Sequence, residues 1–318
     1  MTDKQRLEAA MSGVLPDKVP HFELVFQIPE QAFSLSWPTE KEVKSASSKE
    51  REALYERFYE INERIIDAYH WAAIAVPPTF FGVKGPMITD AKKRLGNQVL
   101  IYDWNGAGVF WLMNGDDMMA FSIRLYEDPE GVHREAREKC ERSKLLARVQ
   151  ADQGADFICI NSDFAFNNAP FISPTMFAEF ITPYMTEIVH EIHDLGMKAM
   201  LHSDGDLNMI MDQLVSTGID GIQSIDPQGH MDIAKVKADY GDKLFLMGNV
   251  HTAKMQDADE AVIRESVRYS MQNGKPGGRF ILSTSNCIFD GMPLESYHIM
   301  LDEYEKHAWY ENGGKADE

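Results

Sequence analysis

The sequence predicts a single (β/α)8 barrel, an α/β fold with an inner parallel sheet and an outer ring of helices. Three observations carry that expectation. Short apolar runs alternate with longer helical patterns, and the alternation is regular in the second half. The runs are near-continuously apolar rather than alternating, as strands of a parallel sheet covered on both faces must be. Finally, eight such runs in 318 residues is the strand count of a barrel. No GxGxxG or GxxxxGK[ST] loop follows any run, which weakens an open doubly wound sheet. No linker rich in Pro, Gly or Ser divides the chain, so one domain over residues 1–318 is expected.

Taken in order, Val19–Val25, Ala72–Val76 and Val99–Tyr102 supply the first three strands. Charged Lys41–Glu60 reads as a solvated helix and its approach loop. Asp156–Asn161 (DFICIN) is strand-like, and a helix over Pro174–Leu195 follows, with Ser173 as its cap and Pro174 at its first position. Gly196 stops that helix before the strand Lys198–Leu201. Leu207–Thr217 is helical, Gly221–Ile225 a strand, Asp232–Tyr240 a helix, Leu244–Met247 a strand. Asp259–Asn273 is helical, Arg279–Leu282 is the last strand, and Pro293–Glu311 a closing helix.

Composition narrows the function classes. Hydrophobic residues make up 44% and charged residues 25%, ordinary values for a globular protein. The net charge of −19, from 50 acidic and 31 basic residues, argues against nucleic acid and against anionic membranes as partners. No apolar stretch reaches the ~20 residues of a membrane span, and Met1-Thr2-Asp3-Lys4 does not open a signal peptide. Three cysteines, Cys140, Cys159 and Cys287, do not make a disulfide framework. A cytoplasmic location is expected.

In a barrel the chemistry sits where strands end and βα loops begin. Those positions read Glu23 to Gln27, Pro77-Pro78-Thr79, Trp104-Asn105, Asn161-Ser162-Asp163, His202-Ser203-Asp204, Asp226, Asn249 with His251, and Ser283 to Cys287. The opposite ends carry turn residues such as Gly154, Gly196, Gly218 and Gly241. Polar groups gathered on one face suggest an enzyme. In His202-Ser203-Asp204-Gly205 the imidazole and carboxylate stand two residues apart, so both can face one ligand. The competing reading is a His satisfied by backbone and an Asp capping the next helix. Asp163, Asp204 and His202 at neighbouring strand ends would share protons and suit general-acid work. Asn161 and Asn249 suit orientation of a ligand. His202, Asp204, Asp226 and Cys287 could also converge on a metal, although no CxxC or HExxH supports one. The aromatics Phe22, Phe26, Trp37, Phe80, Phe81, Trp104, Phe110 and Trp111 flank the expected rim and suit a flat apolar substrate.

From about Asp156 onward the chain resembles the uroporphyrinogen decarboxylase superfamily. The resemblance runs through GADFICINSDFAFNNAPFISPTMFAEFITPYM, GMKAMLHSDGD, GIDGIQSIDP, LFLMGNV and ILSTSNCIFDGMPLES, and more faintly through VPHFELVF and IYDWNGAGVFW. It implies a barrel and two chemistries, porphyrinogen decarboxylation and corrinoid-dependent methyl transfer. The decarboxylases grip substrate carboxylates with an Arg-containing N-terminal segment; the matching Pro20-His21-Phe22-Glu23-Leu24 has Glu23 and no Arg. The thiol methyltransferases hold zinc with His-x-Cys and a later Cys. Here His202 and Cys287 match, while Asp204 stands where the first Cys would be, and Asp226 falls near a place where a carboxylate can approach the metal.

Replacing a thiolate by a carboxylate hardens such a site or removes its metal. An alkoxide or phenolate leaving group needs a proton donor or Lewis acid, which suits His202, Asp204 and Asp163. The resemblance therefore implies an O-demethylating methyltransferase, with a zinc-dependent thiol methyltransferase, a decarboxylase or a non-catalytic tetrapyrrole-binding barrel as alternatives. Glu23, Phe26, Trp104, Asn161 and Asn249 are the expected substrate contacts. The corrinoid (cobalamin) would be carried by a separate protein docking over the barrel mouth, zinc is an optional cofactor at His202, Asp226 and Cys287, and a homodimer is an allowed assembly.

Overall fold

A computed structural model describes residues 1–77, 79–80, 82–84, 87–106 and 108–311. Pro78, Phe81 and the side chains of Thr79, Phe80 and Asn105, named among the expected rim residues, lie outside the described residues. Seven parallel strands form one sheet in sequence order: β1 (Ala73–Ala75), β2 (Leu100–Gly106), β3 (Phe157–Asn161), β4 (Lys198–Ser203), β5 (Gly221–Ser224), β6 (Phe245–Val250) and β7 (Phe280–Thr284). Helices on the outside separate most of them, as right-handed crossovers of a barrel require. Every strand expected from the second half is present, several of them longer toward the polar end. β4 runs through His202 and Ser203, and β7 through Thr284.

The eighth position differs from expectation. Val19–Val25 lies between β7 and β1 but is not a ladder strand; His21 alone makes a parallel bridge to Leu282. Leu282 N–H donates to Pro20 O at 3.0 Å and Ala72 N–H to His21 O at 2.9 Å, so this segment still joins the two edges. Two features keep it irregular. Pro20 has no N–H to give. At Thr284 the backbone N–H, which a strand carbonyl would accept, donates instead to the Glu23 carboxyl at 3.0 Å, with the Thr284 hydroxyl at 2.7 Å. A side chain thus replaces part of the ladder.

Closure is visible in the packing. Phe22 touches Phe157 of β3 at 6.4 Å between ring centroids although β1 and β2 intervene in the sheet. That contact can only cross the concave face. Tyr102 of β2 stacks on Phe157 at 4.6 Å and completes a buried trio. On the outer side, His21 Nδ1 bonds Leu282 O and its Nε2 meets the Tyr297 hydroxyl, which also accepts from Trp71.

The expected helix Pro174–Leu195 is two helices, Pro174–Phe180 and Thr182–Asp194. Pro183 cannot donate to the carbonyl four residues earlier, and the chain breaks at Ile181. Ser173 caps the first of them through Met176 N–H as expected. Leu207–Thr217 narrows to the helix Met211–Ser216 after a turn. No helix among the described residues is long and apolar enough to cross a membrane.

Glu23 is fully buried, and burial pushes its carboxyl up to about 8. The folded state therefore holds a proton that the unfolded chain releases near pH 4.5. Its stabilisation is complete below that value and is lost as pH rises toward 8 and past it. Thermal unfolding should fall in temperature between pH 5 and pH 9, and Glu23→Gln should flatten that slope. Parallel slopes for the two proteins would contradict this role.

Candidate functional site

Strand register builds the site. Asn161 of β3 pairs with His202 of β4, and His202 with Gln223 of β5, so the three stand side by side at the strand ends. One residue on, Ser203 pairs with Ser224. Leaving the strands, Asp163 and Asp204 follow on adjacent loops. Gly205 lets these loops close on each other: its φ is +84°, and a Cβ there would lie 2.5 Å from Ala165 O.

His202 is 8% exposed. Its Nδ1 bonds Gln223 Oε1, its Nε2 lies 3.8 Å from Asp163 Oδ1, and Trp104 meets the ring edge-on at 6.0 Å. Asp163 also accepts the Asp204 N–H at 3.0 Å, so the first carboxylate positions the second residue. Among the described residues, ligand atoms of Asp163, His202 and Asp204 lie within 4.8 Å of one another. These three expected site residues are brought together.

Asp204 has a more telling environment. Asn286 Nδ2 donates to its Oδ2, and Ser224 Oγ lies 2.6 Å from its Oδ1. The same Ser224 hydroxyl bonds the Ser285 carbonyl. One hydroxyl proton serves both neighbours only as a shared three-centre bond, and a carbonyl can only accept. A protonated Asp204 Oδ1 donating to Ser224 gives each contact its own proton. Burial raises the Asp204 carboxyl above its ordinary value against the opposing pull of His202 and the Ser224 hydroxyl, and Asp163 and Asp226 add smaller upward pushes. Ser224 holds its position at φ +103°, an unusual conformation for a residue with a Cβ.

The other expected residues are placed differently. Asp226 does not join the His202 group. It caps a short 3-10 turn through Gln228 N–H at 2.9 Å and receives the Gly205 N–H at 3.4 Å. Cys287 is partly buried and likewise outside the ligand-spaced group. Burial, with Glu23 and Asp204 nearby, pushes its thiol up to about 12. The set His202, Asp226 and Cys287 is thus replaced by Asp163, His202 and Asp204. The donors of that set, one imidazole nitrogen and carboxylate oxygens, fit a divalent cation with nitrogen and oxygen ligands and not a thiolate-rich zinc site.

Asn249 faces the helix layer: its Nδ2 donates to Ile225 O and its Oδ1 accepts from Ser270 in the helix Glu260–Gly274. It is committed to packing β6 and does not meet the His202 group. Glu23 is locked on Thr284. Phe26 is buried among Phe33, Tyr69, Trp71 and Tyr297. With Trp37, Phe58 and Trp104 it lines an apolar cavity of about 450 Å³, and the Trp104 ring also meets His202 edge-on. Asn161 is exposed at its strand end. Gln223 and Ser224 were not among the expected site residues, and Asn286 was expected only as part of the strand end Ser283 to Cys287. The polar pair inside GIQSI, in a run otherwise apolar, was the available signal.

The sequence of residues 109–307 matches the family model described as uroporphyrinogen decarboxylase (URO-D). The chain belongs to the uroporphyrinogen decarboxylase family. It is 22% identical over 232 residues to the uroporphyrinogen decarboxylase of Pseudoalteromonas atlantica, covering 70% of this chain and 63% of that protein. Against the chloroplastic uroporphyrinogen decarboxylase of Nicotiana tabacum it is 24% identical over 221 residues, covering 67% and 54%. The match therefore spans less than two thirds of either decarboxylase. A solved structure titled methyltransferase from Methanosarcina mazei superposes with a TM-score of 0.73 at 16% identity, over 96% of this chain and 99% of that one. The fold is shared along nearly the whole length, and this family member is an α/β barrel of that type.

Because Asp226 ties the turn after β5 to Gly205, Asp226→Ala should lower unfolding free energy by about 1–2 kcal/mol, the cost of a lost cap. Urea denaturation measures it. Unchanged stability would refute the capping role.

Proposed function

We propose that this protein is a corrinoid-dependent methyltransferase that removes methyl from an O-methyl donor, an aryl methyl ether, and passes it to the cobalt of a separate corrinoid protein. The observation that carries this reading is the part-buried carboxyl of Asp204, raised above its ordinary value by desolvation and set beside His202 and Asp163. In the thiol-handling branch that this sequence resembles, the same position carries a metal-binding thiolate. A proton donor there suits an oxygen leaving group. The apolar cavity behind Trp104 suits the aryl ring, and family membership with the M. mazei methyltransferase fold is consistent with the reaction class.

The residues divide the work as follows. Trp104 and the cavity hold the ring so that the methyl group faces the open mouth. The C–O bond breaks as the reduced corrinoid acceptor supplies the electron pair that forms the new bond to carbon. The C–O pair stays on oxygen, which takes the Asp204 proton and leaves as a phenol. The Ser224 hydroxyl then turns from Ser285 O to the Asp204 carboxylate and stabilises the charge left behind. Asp163 fixes the Asp204 backbone throughout. A divalent cation, if held by Asp163, His202 and an ionised Asp204, would replace that proton with Lewis-acid assistance to the same oxygen.

A decarboxylase reading is less consistent with the mouth. Pro20–Leu24 offers no cation, Glu23 is consumed internally, and the gathered side chains are acidic or neutral. A substrate bearing several carboxylates would meet repulsion there.

Purified protein should transfer methyl from guaiacol-like ethers to cob(I)alamin. Asp204→Asn should lower turnover by about 10²–10⁴-fold, the usual worth of a general acid. Absence of transfer from every methoxylated arene offered, with reduced cobalamin confirmed by its spectrum, would sink the proposal.

A further inference from the structure

Gln223 has no role in the site as drawn so far, yet its amide is among the most constrained polar groups in the barrel. It is fully buried on β5, next to His202 in register. Its Nε2 donates to Thr284 O and Asn286 O, both at 3.3 Å. Both partners are carbonyls and can only accept, so the amide cannot be turned the other way round. Its Oε1 consequently faces His202 Nδ1. An amide oxygen only accepts, so Nδ1 must carry the hydrogen.

The consequence falls on the other ring nitrogen. In a neutral imidazole with Nδ1–H, Nε2 has a bare lone pair. That atom lies between β3 and β4 loops, 3.8 Å from Asp163 Oδ1, too far for a hydrogen bond. The His202 side chain is 10% exposed, and its Nε2 lies on the side of Asp163. Left to Asp163 alone, the neutral ring would favour the opposite tautomer, with Nε2–H directed at the carboxylate. The carboxylate pulls one way and the locked amide the other.

We infer that Gln223 is a positioning residue that holds His202 as the Nδ1–H tautomer and thereby presents the Nε2 lone pair to whatever occupies the barrel mouth. The role rests on the proposal that this mouth is the catalytic site. Gln223 takes its own orientation from β7 and its following loop, so a carbonyl pair two strands away sets the proton position on His202. This is the arrangement by which an outer hydrogen bond fixes a functional histidine.

Long-range ¹H–¹⁵N spectra of labelled protein, with the His202 signals identified by their loss in His202→Asn, test it without any need for activity. In the wild type at pH 8 the Nδ1 resonance should be of the protonated type and Nε2 of the bare type. Gln223→Met should move His202 toward the Nε2–H pattern and lower kcat for methyl transfer about 10–100-fold, with KM little changed. Gln223→Glu, which keeps an acceptor against Nδ1 but loses the amide donors to Thr284 O and Asn286 O, should keep Nδ1 protonated. A wild-type His202 found as Nε2–H overturns the inference, as does a Gln223→Met protein with unchanged tautomer and kcat. If Gln223→Met does not fold, the wild-type and Gln223→Glu spectra still decide. Wild-type protein without methyl transfer but with the Nδ1–H pattern would remove the proposed function and leave the tautomer assignment standing.

Discussion

Ser224 has one hydroxyl proton and two oxygen neighbours, the Ser285 carbonyl and Asp204 Oδ1, and the charge state of the barrel mouth depends on that shortage. Because the carbonyl must accept, a protonated carboxyl is the state in which each contact has its own proton. Burial works in the same direction, since charge on Asp204 would be poorly solvated and would face Asp163. Hydrogen-bond pairing and desolvation thus both favour the protonated form of this strand-end carboxyl. A neutral acid can donate to an oxygen leaving group; a carboxylate at the same place could only accept or bind a cation. The serine that enforces this sits at a positive φ, a conformation that costs about 1–3 kcal/mol and is tolerated where the surroundings over-determine it.

The same economy of donors shapes the barrel itself. Its first segment contributes a proline where a strand would offer an N–H, and a glutamic acid side chain where a strand would offer a carbonyl. The seam between β7 and β1 is therefore closed by His21 and Glu23 rather than by a ladder. Both residues are buried, and burial keeps each near its neutral form: His21 is pushed down to about 4 and Glu23 up to about 8. A neutral seam lies beside a neutral acid, which limits the unpaired charge held inside the fold.

Much of this was legible in the residues. The near-continuous apolar runs of the second half could only be parallel strands, and their polar C-terminal ends located His202, Asp163 and Asp204 on one face. Three things were not legible, each for a physical reason. Asp226 and Asn249 carry the right groups at strand ends, but their partners, Gly205 with Gln228 and Ile225 with Ser270, exist only once loops and helices have packed. Gln223 sits in an apolar run, and its role arises from carbonyls about sixty residues later in the chain. Val19–Val25 has strand-like composition, whereas its pairing is decided by side-chain substitution for backbone groups. Local pattern specifies elements; it does not specify which hydrogen-bonding group a neighbour will consume.

In the proposed reaction Asp204 protonates the departing oxygen. The most direct measurement is the rate of single-turnover methyl transfer across a series of aryl methyl ethers whose phenols span a range of acidity. Donation from Asp204 predicts a shallow dependence on phenol pKa in the wild type and a steep one in Asp204→Asn, since poor leaving groups suffer most when the proton is withheld. Equal slopes in the two proteins would contradict it.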